Sequence, residues 1–395
     1  MTRSWLTLDE LDLARRRVLV RVDINVPMND GRVIDDSRIR AIRPTITEIL
    51  HRGGVVVLAA HLGRPKGKAD ESLSLNRLRP ALADILGQSV VLHRDIARGP
   101  DGSLDADSIH LLENLRFASG ETGNDPVFCQ HLAQWGDVYC NDAFAVSHRA
   151  HASTCGITTL LPSAAGRLLE RELAVLTKIT TEPDSPVAAV VGGAKISTKI
   201  SLLASLTSMT DHVFVGGGMA NTFFLAQGRT IGASLAEPDA VAEVHRIEET
   251  ARQNACEIHL PHDVVCARQL RPGARHAILK PPSCPVDQMI LDTGPDSVAR
   301  FNDILADART ILWNGPIGAF ETPPFDQGSI ALARSIAARS ESGDCISIAG
   351  GGETLAVISR AGVGKQFGHL STGGGAFLAF LQGDELPAIQ ALGNH

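Results

Sequence analysis

The chain of 395 residues is poor in aromatic side chains and has no closely spaced cysteine pairs. Aromatic residues make up 4% of it, so a hydrophobic core must consist mainly of Ala, Val, Leu and Ile. The seven cysteines show no CxxC spacing, which argues against the common zinc and thioredoxin-type motifs and against a disulfide framework. We therefore expect a protein of a reducing compartment, the cytoplasm.

Long apolar runs and an excess of positive charge are also missing. No apolar run approaches the roughly 20 residues of a membrane helix, and the first ten residues, MTRSWLTLDE, lack the apolar region of a signal peptide. The formal net charge of -7 gives no overall attraction for nucleic acid or for an anionic membrane. We expect neither as a partner, and basic groups that bind an anion must be gathered locally.

Short Val/Ile/Leu-rich runs recur along the chain and alternate with segments of helical periodicity such as NRLRPALADILG. This alternation is typical of βαβ units with parallel sheets, and the length favours two domains. The predicted strands lie in RRVLVRVDIN, GGVVVLAAHLG, SVVLHRD, IHLLENLRF, DVYCNDAF, SPVAAVVGGAK, DHVFVGGGMA, EIHLPHDVV, QMILDTG, TILWNGPIG and DCISIAGGGET. The chain is thus predicted to be an α/β protein.

The boundary between the two halves is predicted within LPSAAGRLLERELAVLTKITTEPDSP. Residues 163–178 have the pattern of one amphipathic helix with Ser163 as its N-cap, and TTEPDSP is a turn-rich link. We predict an N-terminal domain over 1–165, a helix and linker over 166–182, and a C-terminal domain over 183–379.

Basic residues of the first half stand nearly all at or just after a predicted strand end. Ligands of open α/β sheets lie beyond the carboxyl ends of the strands, and guanidinium groups match phosphate and carboxylate geometry. A single arginine is more often a solvated surface residue, so the hypothesis of an anion site depends on their convergence. The residues are Arg21, Arg38, His61, Arg64, Arg116 and Arg149.

The second half carries four glycine clusters at predicted strand-to-helix turns, at 192–193, 216–218, 350–352 and 373–375. Glycine allows close approach of a ligand, and a helix N-terminus offers free N–H groups to phosphate. One cluster alone is as typical of tight packing, but four in one half favour a nucleotide site. Named motifs fail: GVGKQF has Ser359 where a Walker A loop needs its first glycine, and Asn221 interrupts a dinucleotide fingerprint.

A possible metal pair, His148 and His151, has the spacing of a helix face but no third ligand nearby in sequence. We interpret both as packed or hydrogen-bonded histidines.

Taken in order, the motifs resemble those of phosphoglycerate kinases from about residue 17 to the C-terminus. In the first half they are RVDINVP, DDSRI, HLGRP, LLENLRF, YCNDAFAVSHRAHAS and LPSAAG. In the second they are GGAKISTK, VGGGMANTF, LPHDVV, LDTGP, WNGPIGAFE, GGGET and HLSTGGGA. The resemblance implies two Rossmann-like three-layer α/β/α domains with mainly parallel sheets, joined by a long interdomain helix, with a cleft and a hinge. The segment 380–395 would pack back on the N-terminal domain.

The resemblance also implies a reaction: reversible, direct in-line phosphoryl transfer between 1,3-bisphosphoglycerate and MgADP, giving 3-phosphoglycerate and MgATP, after hinge closure. Candidate hinges are the 163–178 helix and the 371–375 stretch. The chain would act as a monomer. Alternatives are a catalytically weak homologue that serves as a binding protein and, on pattern alone, a Rossmann dehydrogenase.

Site residues follow from the same resemblance. The 3-phosphoglycerate site would comprise Arg21, Asp23, Asn25, Arg38, His61, Arg64, Arg116 and Arg149. The nucleotide site would comprise Gly193, Lys199, Gly217, Asn314, Glu321, Gly351, Gly352, Glu353 and Thr354. Catalysis would rest on Arg38, Lys195, Lys199, Gly352 and Gly374, and Glu353 would face Mg²⁺.

Three positions depart from the family pattern. Glu353 replaces the usual magnesium-facing Asp, Thr198 replaces an Asp common between Lys195 and Lys199, and Ala145 replaces a Gly. A carboxylate remains for a hard cation, one methylene longer. We expect altered local electrostatics and metal geometry, with the reaction retained.

Overall fold

Two six-stranded sheets, each with all its strands parallel, organise the chain in two units. The computed structural model describes residues 5–29, 31–280 and 284–393. One unit comprises Met1–Ala174 with Glu385–His395, and the other comprises Val175–Asp384. What we expect of residues 1–4 and 394–395 from the sequence lies outside the described residues.

The first unit is built on a sheet of order β5-β6-β4-β1-β7-β8. Its central strands are buried from end to end, because helices cover both faces of a parallel sheet. The strands are β1 (Arg17–Val22), β2 (Met28–Asn29), β3 (Arg32–Val33), β4 (Val55–Ala59), β5 (Ser89–His93), β6 (Ser108–Leu112), β7 (Val138–Asp142) and β8 (Ser163–Ala165). The helices are α1 (Ser37–Ala41), α2 (Arg43–His51), α3 (Arg79–Leu86), α4 (Ser119–Thr122) and α5 (Pro126–Ala133), with α6 (Arg167–Thr181) at the boundary and α14 (Pro387–Leu392) from the tail.

The second unit has a sheet of order β11-β10-β9-β15-β16-β17 and a small antiparallel sheet, β13-β12-β14. The strands are β9 (Val187–Val191), β10 (His212–Val215), β11 (Glu257–His259), β12 (Val264–Ala267), β13 (His276–Leu279), β14 (Met289–Thr293), β15 (Thr310–Asn314), β16 (Ile346–Gly350) and β17 (His369–Ser371). The helices are α7 (Ile200–Met209), α8 (Gly217–Ala226), α9 (Val241–Gln253), α10 (Pro295–Leu305), α11 (Gln327–Glu341), α12 (Gly352–Ala361) and α13 (Gly375–Leu381). In the part of the chain that the structure describes, no helix is both long and apolar enough to cross a bilayer.

The α/β class with mainly parallel sheets is confirmed, but three local predictions were wrong. Residues 163–165 form strand β8, and the helix begins only at Arg167, because pairing with β7 binds this short segment to the sheet edge. The single run EIHLPHDVV forms two strands, β11 and β12, which belong to different sheets. The run QMILDTG forms β14 of the antiparallel sheet, not a parallel strand.

Asp142, the last residue of β7, caps the N-terminus of α6 from outside the helix. Its Oδ1 accepts hydrogen bonds from the amides of Leu168 (2.9 Å) and Leu169 (3.2 Å). Gly166 is required at this junction, because a Cβ there would lie 2.3 Å from the same oxygen. Burial raises the pKa of the Asp142 carboxyl to about 6, against the hydrogen bonds from Thr45 and the two amides.

We predict that Asp142→Asn makes stability less sensitive to pH. The pKa of this acid rises from 3.8 to about 6 on folding, so its contribution to stability is fully present below pH 3.8 and is lost as pH rises through 6. The shift of about 2 pKa units corresponds to roughly 3 kcal/mol. The free energy of unfolding of the variant, relative to the parent, should therefore be more favourable at pH 7.5 than at pH 4.

Urea unfolding followed by tryptophan fluorescence measures this difference. In a Trp313→Phe background the remaining tryptophans, Trp5 and Trp135, both lie in the first unit and report on it alone. A difference between the two proteins that is the same at both pH values would show that Asp142 does not ionise over this range.

Candidate active site

A buried arginine at the end of β1, Arg21, organises the first unit's polar cluster. Its Nε donates to Ser153 Oγ (2.9 Å) and its Nη1 to the carbonyl of Val22. Its Nη2 lies 3.0 Å from Nδ1 of His61, just beyond β4. Because guanidinium nitrogens only donate, Nδ1 of His61 must accept, and the ring proton lies on Nε2.

The protonation state of His61 follows from its surroundings. Burial lowers the pKa of His61 far below its ordinary value, and the positive charges of Arg21, Arg116 and Arg149 lower it further. The ring is therefore neutral at physiological pH. It offers a single N–H donor, at Nε2, in a fixed tautomer.

Glu121 supplies the negative charge beneath this cluster, and sequence reasoning missed it. Its Oε1 accepts from Ser153 Oγ (2.6 Å) and its Oε2 from the Ser153 amide (3.1 Å). Burial opposes ionisation, but the neighbouring His151, the charge of Arg21 and the hydrogen bonds from Ser153 keep the pKa of Glu121 below its ordinary value. Glu121 lies in α4, a short helix outside every quoted motif, so no sequence signal singled it out.

Asp23, Asn25 and Arg38 form a second group beside Arg21. Arg38, on α1, donates through Nη1 to Asp23 Oδ2 (2.6 Å) and to the carbonyl of Asn25 (3.2 Å). The side-chain oxygen of Asn25 accepts from the amide of Gly63 (2.9 Å). The segment after β1 is thereby tied to the loop after β4.

Arg116 follows β6 and is 7% exposed. Its Nη1 donates to the carbonyl of Gly63 (2.9 Å), but Nε and Nη2 have no partner among the described residues. Burial, with the charges of Arg149 and Arg21, lowers the pKa of Arg116 to about 10. Two buried donors of a cation are thus left for an acceptor, and an anion is the acceptor that suits a guanidinium best.

Arg64 and Arg149 complete the set of predicted first-unit residues. Both lie close enough to Arg116 for their charges to lower its pKa. Arg64 is exposed, and Nε of Arg149 donates to Nε2 of His148 (3.1 Å). His151 faces Glu121, with Nδ1 3.7 Å from the carboxylate. The structure thus gathers all eight residues at the carboxyl ends of β1, β4, β6 and β7.

We predict that inorganic phosphate stabilises the first unit through Arg116. A ligand that binds only the folded state at about 100 times its Kd adds about 2.7 kcal/mol to the free energy of unfolding. Arg116→Met should lose most of this gain, and without phosphate it should cost little, since it removes a buried charge that is only partly paired. Thermal unfolding at increasing phosphate concentration measures both effects.

A matched control is Arg94→Met, which removes an exposed arginine paired with Glu71. This variant should respond to phosphate as the parent does. An equal response in Arg116→Met would place the anion elsewhere.

In the second unit a cavity of about 300 Å³ lies beside the glycine turns. Four predicted residues line it: Gly193, Gly217, Glu321 and Glu353. Its apolar wall was not predicted and comes partly from the small antiparallel sheet, with Phe224, Leu235, Val264, Leu270, Met289 and Ile290. An apolar cavity with a few polar groups at one side is typical of a small-molecule site.

Lys199 lies at the polar side of the predicted nucleotide site. Its Nζ donates to the carbonyls of Gly192 (2.7 Å) and Asn314 (3.1 Å). Burial lowers the pKa of Lys199 to about 8, against the opposing influence of the Glu353 carboxylate. Nδ2 of Asn314 donates to the carbonyl of Gly350 (2.8 Å), and its Oδ1 has no partner in the described part of the chain.

Two turn glycines have backbone conformations that other residues adopt only with strain. Gly217 has φ +66°, and a Cβ there would lie 2.8 Å from the carbonyl of Gly193. Gly351 has φ +97°, and a Cβ would lie 2.9 Å from Nδ2 of Asn314. These turns begin α8 and α12. In α8 the amides of Gly217 and Met219 already donate to the carbonyls of Ile317 and Gly193, whereas the first amides of α12 have no acceptor in the described part of the chain and are available to an anion.

The remaining predicted residues of the second unit are less closely joined. Thr354, in the first turn of α12, accepts from the amide of Gly315 through Oγ1 (2.7 Å), and Gly352 is the first residue of α12. Lys195 is exposed, and Gly374 precedes α13. No hydrogen bond among the described residues joins the side chain of Lys195 or the backbone of Gly374 to Lys199 or Asn314.

The carboxylate predicted to face a metal, Glu353, is exposed on the cavity wall. Mg²⁺ is often bound by one or two protein carboxylates together with substrate phosphates and water. One carboxylate beside a nucleotide site therefore fits Mg²⁺ carried in with the nucleotide.

Comparison with known proteins covers nearly the whole chain. The profile of the family "Phosphoglycerate kinase" matches residues 8–384. The chain is 50% identical to a phosphoglycerate kinase of Dinoroseobacter shibae over 391 residues, 98% of this chain and 99% of that protein. It is 46% identical to a phosphoglycerate kinase of Zymomonas mobilis over 395 residues, again 98% and 99%.

Solved structures give the same result for the fold. The phosphoglycerate kinase of Coxiella burnetii matches with a TM-score of 0.89 at 38% identity, over 98% of both chains. The enzyme of Pyrococcus horikoshii matches with a TM-score of 0.83 at 29% identity, also over 98% of both.

Proposed function

The chain belongs to the phosphoglycerate kinase family, and on that premise we propose how its own residues transfer a phosphoryl group to and from a carboxylate. The reaction interconverts 1,3-bisphosphoglycerate and ADP with 3-phosphoglycerate and ATP. The observation that carries the assignment of the acid's site is the cationic cluster around Arg116, with its two buried, unpaired donors. The comparisons give no support to a binding-only homologue.

For 3-phosphoglycerate we propose the first-unit cluster. The unpaired nitrogens of Arg116 would bind phosphate or carboxylate oxygens, with Arg64 and Arg149 adding charge. His61 would donate its Nε2 proton to the substrate, and Arg21 would position His61 through Nδ1. Asp23 and Asn25, joined to Arg38 and Gly63, would hold the hydroxyl group.

For the nucleotide we propose the second-unit cavity. The apolar wall beside Gly193 and Gly217 suits an adenine ring, and the exposed carboxylate of Glu321 suits ribose hydroxyls. Lys199, Asn314 and Thr354, with the amides of Gly351 and Gly352, would face the phosphates at the N-terminus of α12.

Glu353 would hold Mg²⁺ together with the nucleotide phosphates. When bound, the ion neutralises negative charge on the phosphate oxygens. Glutamate in place of the aspartate usual in this family extends the carboxylate by one methylene, and its negative charge also favours the protonated form of Lys199. Glu353 would thus affect both the metal and the lysine.

In the transfer itself a carboxylate oxygen of 3-phosphoglycerate attacks the γ-phosphorus of ATP as the bond to the β-phosphate oxygen breaks, and the reverse step returns the group to ADP. A carboxylate needs no general base. Catalysis therefore rests on cations and amides placed around the loose transition state, for which we propose Arg38, Lys195, Lys199, Gly352 and Gly374. The hinge and the domain boundaries expected from the sequence stay predictions.

We further propose that the chain acts as a monomer in the cytoplasm. One chain carries both proposed substrate sites. All seven cysteines are free thiols, the state that a reducing compartment maintains.

We predict that Arg38→Ala and Lys195→Ala each lower kcat by about 10²–10³-fold, the usual cost of removing one group that stabilises transition-state charge. The measurement is ATP-dependent formation of 1,3-bisphosphoglycerate, coupled to its reduction by glyceraldehyde-3-phosphate dehydrogenase. Arg40→Ala is the matched control, because it removes an exposed cation paired with a nearby aspartate, Asp36. Parental turnover in both test variants, with the fold intact, would refute the assigned roles.

We predict that the affinity for ADP falls above pH 8. Lys199 has a pKa of about 8 in the free protein, so its ammonium is lost as pH rises through 8. If the charged form alone binds phosphate well, affinity should fall by up to about tenfold between pH 8.5 and 9.5. Calorimetric titration with ADP at fixed Mg²⁺ measures it. Lys199→Met should bind weakly and show a flat profile, and a parental profile that is equally flat would contradict the role of Lys199.

A further inference from the structure

A cluster of two histidines and a glutamate lies at one edge of the second unit's main sheet, outside the nucleotide cavity. His212 is the first residue of β10, and Glu257 and His259 lie on β11, the edge strand. The register pairs His212 with Glu257, and His259 follows two residues later, so the three side chains share one face. Gly216, at the ligand end of β10, is roughly 13 Å further along the strand, at about 3.3 Å per residue.

The distances suit a metal site. Nδ1 of His212 lies 3.1 Å from Nε2 of His259. The Glu257 carboxylate lies 3.9 Å from the first nitrogen and 3.7 Å from the second. Two nitrogens bound to one zinc ion at about 2.0–2.1 Å in tetrahedral geometry are about 3.3 Å apart. The carboxylate needs a shift of only a few tenths of an ångström, which a side chain with 72% exposure can make.

A second histidine pair shows what a simple hydrogen bond looks like in this chain. Nε2 of His93 lies 2.9 Å from Nδ1 of His110, and Nε2 of His110 donates to the carbonyl of Asp105 (2.9 Å). Nδ1 of His110 must therefore accept the proton of His93, and this proton occupies the space between the two rings. The tautomers are fixed, and the pair has no place for an ion.

The pair formed by His212 and His259 differs in two respects. Among the described residues, no hydrogen bond to a carbonyl fixes either tautomer, and a carboxylate faces both nitrogens. Together with Glu257, the two histidines form the one group of three or more His, Cys, Asp or Glu residues in the described part of the chain whose ligand atoms lie close enough to share a metal ion. Phe214 stacks on His259, with ring centroids 4.7 Å apart, and holds the ring in place. Burial lowers the pKa of His259 to about 4; His212 and the more weakly acting Arg300 also lower this pKa, and Glu257 opposes them.

We propose that His212, Glu257 and His259 bind a divalent transition-metal ion such as Zn²⁺, Co²⁺ or Ni²⁺. Imidazole and carboxylate ligands suit these metals, and water would complete the coordination shell. The ion would cross-link β10 to β11, an edge strand of three residues that pairs in this sheet with β10 alone. Its role would be structural and separate from the Mg²⁺ that accompanies the nucleotide.

The test is calorimetric and spectroscopic titration of the untagged full chain with Co²⁺, without nucleotide. We expect one bound ion with the visible absorption of cobalt in nitrogen and oxygen ligands, without a thiolate-to-cobalt charge-transfer band. His212→Gln and His259→Gln should weaken binding by more than about tenfold, since loss of even an outer-shell partner costs 10- to 100-fold. His93→Gln, in the other histidine pair, is the matched control and should bind Co²⁺ as the parent does.

Glu257→Gln tests the site with little risk of misfolding the strand, because the Glu257 side chain is largely exposed. It should weaken Co²⁺ binding while the metal-free melting temperature stays unchanged, and Co²⁺ should raise the melting temperature of the parent but not of this variant. Failure of the parent to bind Co²⁺, parental binding in the His212 or His259 variants, or a thiolate band would each overturn the proposal. None of these outcomes involves turnover, so they are independent of the proposed catalytic roles.

Discussion

The guanidinium of Arg21 lies fully buried at the end of β1, and the first unit must compensate its charge from within. Glu121 supplies the opposite charge through Ser153, and the remaining guanidinium contacts go to a carbonyl and to His61. One consequence is chemical: the histidine is held neutral with its proton on Nε2. Another is structural, because the hydrogen bonds of Arg21 connect β1 to the loop after β4, which carries His61, and to the segment after β7, which carries Ser153. Arg116 lies close to these residues, and two of its donors have no partner in the described part of the chain, which supports the proposed anion site.

In the second unit, backbone groups and not charged side chains form most of the polar side of the proposed nucleotide site. Parallel strands end at the same edge, so the turns after β9, β10, β15 and β16 come together there. Glycine at these turns lets carbonyls and amides approach within distances that a Cβ would obstruct. The half-buried cation Lys199 is bound by two of these carbonyls and carries a lowered pKa. A nucleotide, which brings its own negative charge and metal, suits such a neutral, amide-rich pocket.

Burial of polar groups has different outcomes in different places, and the partners decide which. Asp142 and Glu121 are both buried carboxylates near helix or loop amides. Glu121 has arginine and histidine neighbours and stays ionised, whereas Asp142 has only neutral donors and its pKa rises. The two histidine pairs differ in the same way: a carbonyl fixes the proton of one, and a carboxylate faces the other. Residue type alone does not distinguish these cases.

The amino-acid sequence by itself determined the fold class, most of the strands and the family, because apolar runs and glycine-ended turns are local patterns and the motifs follow one another along the whole chain. It also named Arg21, His61, Arg116 and Asn314 as candidate site residues, since ligands of open α/β sheets lie beyond the strand ends, and it named Lys199 through the resemblance to the family. Only the tertiary structure decided what depends on distant partners. Strand β8 needs pairing with β7, the cavity wall needs the antiparallel sheet, and the charge of Glu121 needs Arg21 and Ser153. The cluster of His212, Glu257 and His259 likewise exists because two strands 45 residues apart in sequence lie side by side in register, which no local pattern encodes.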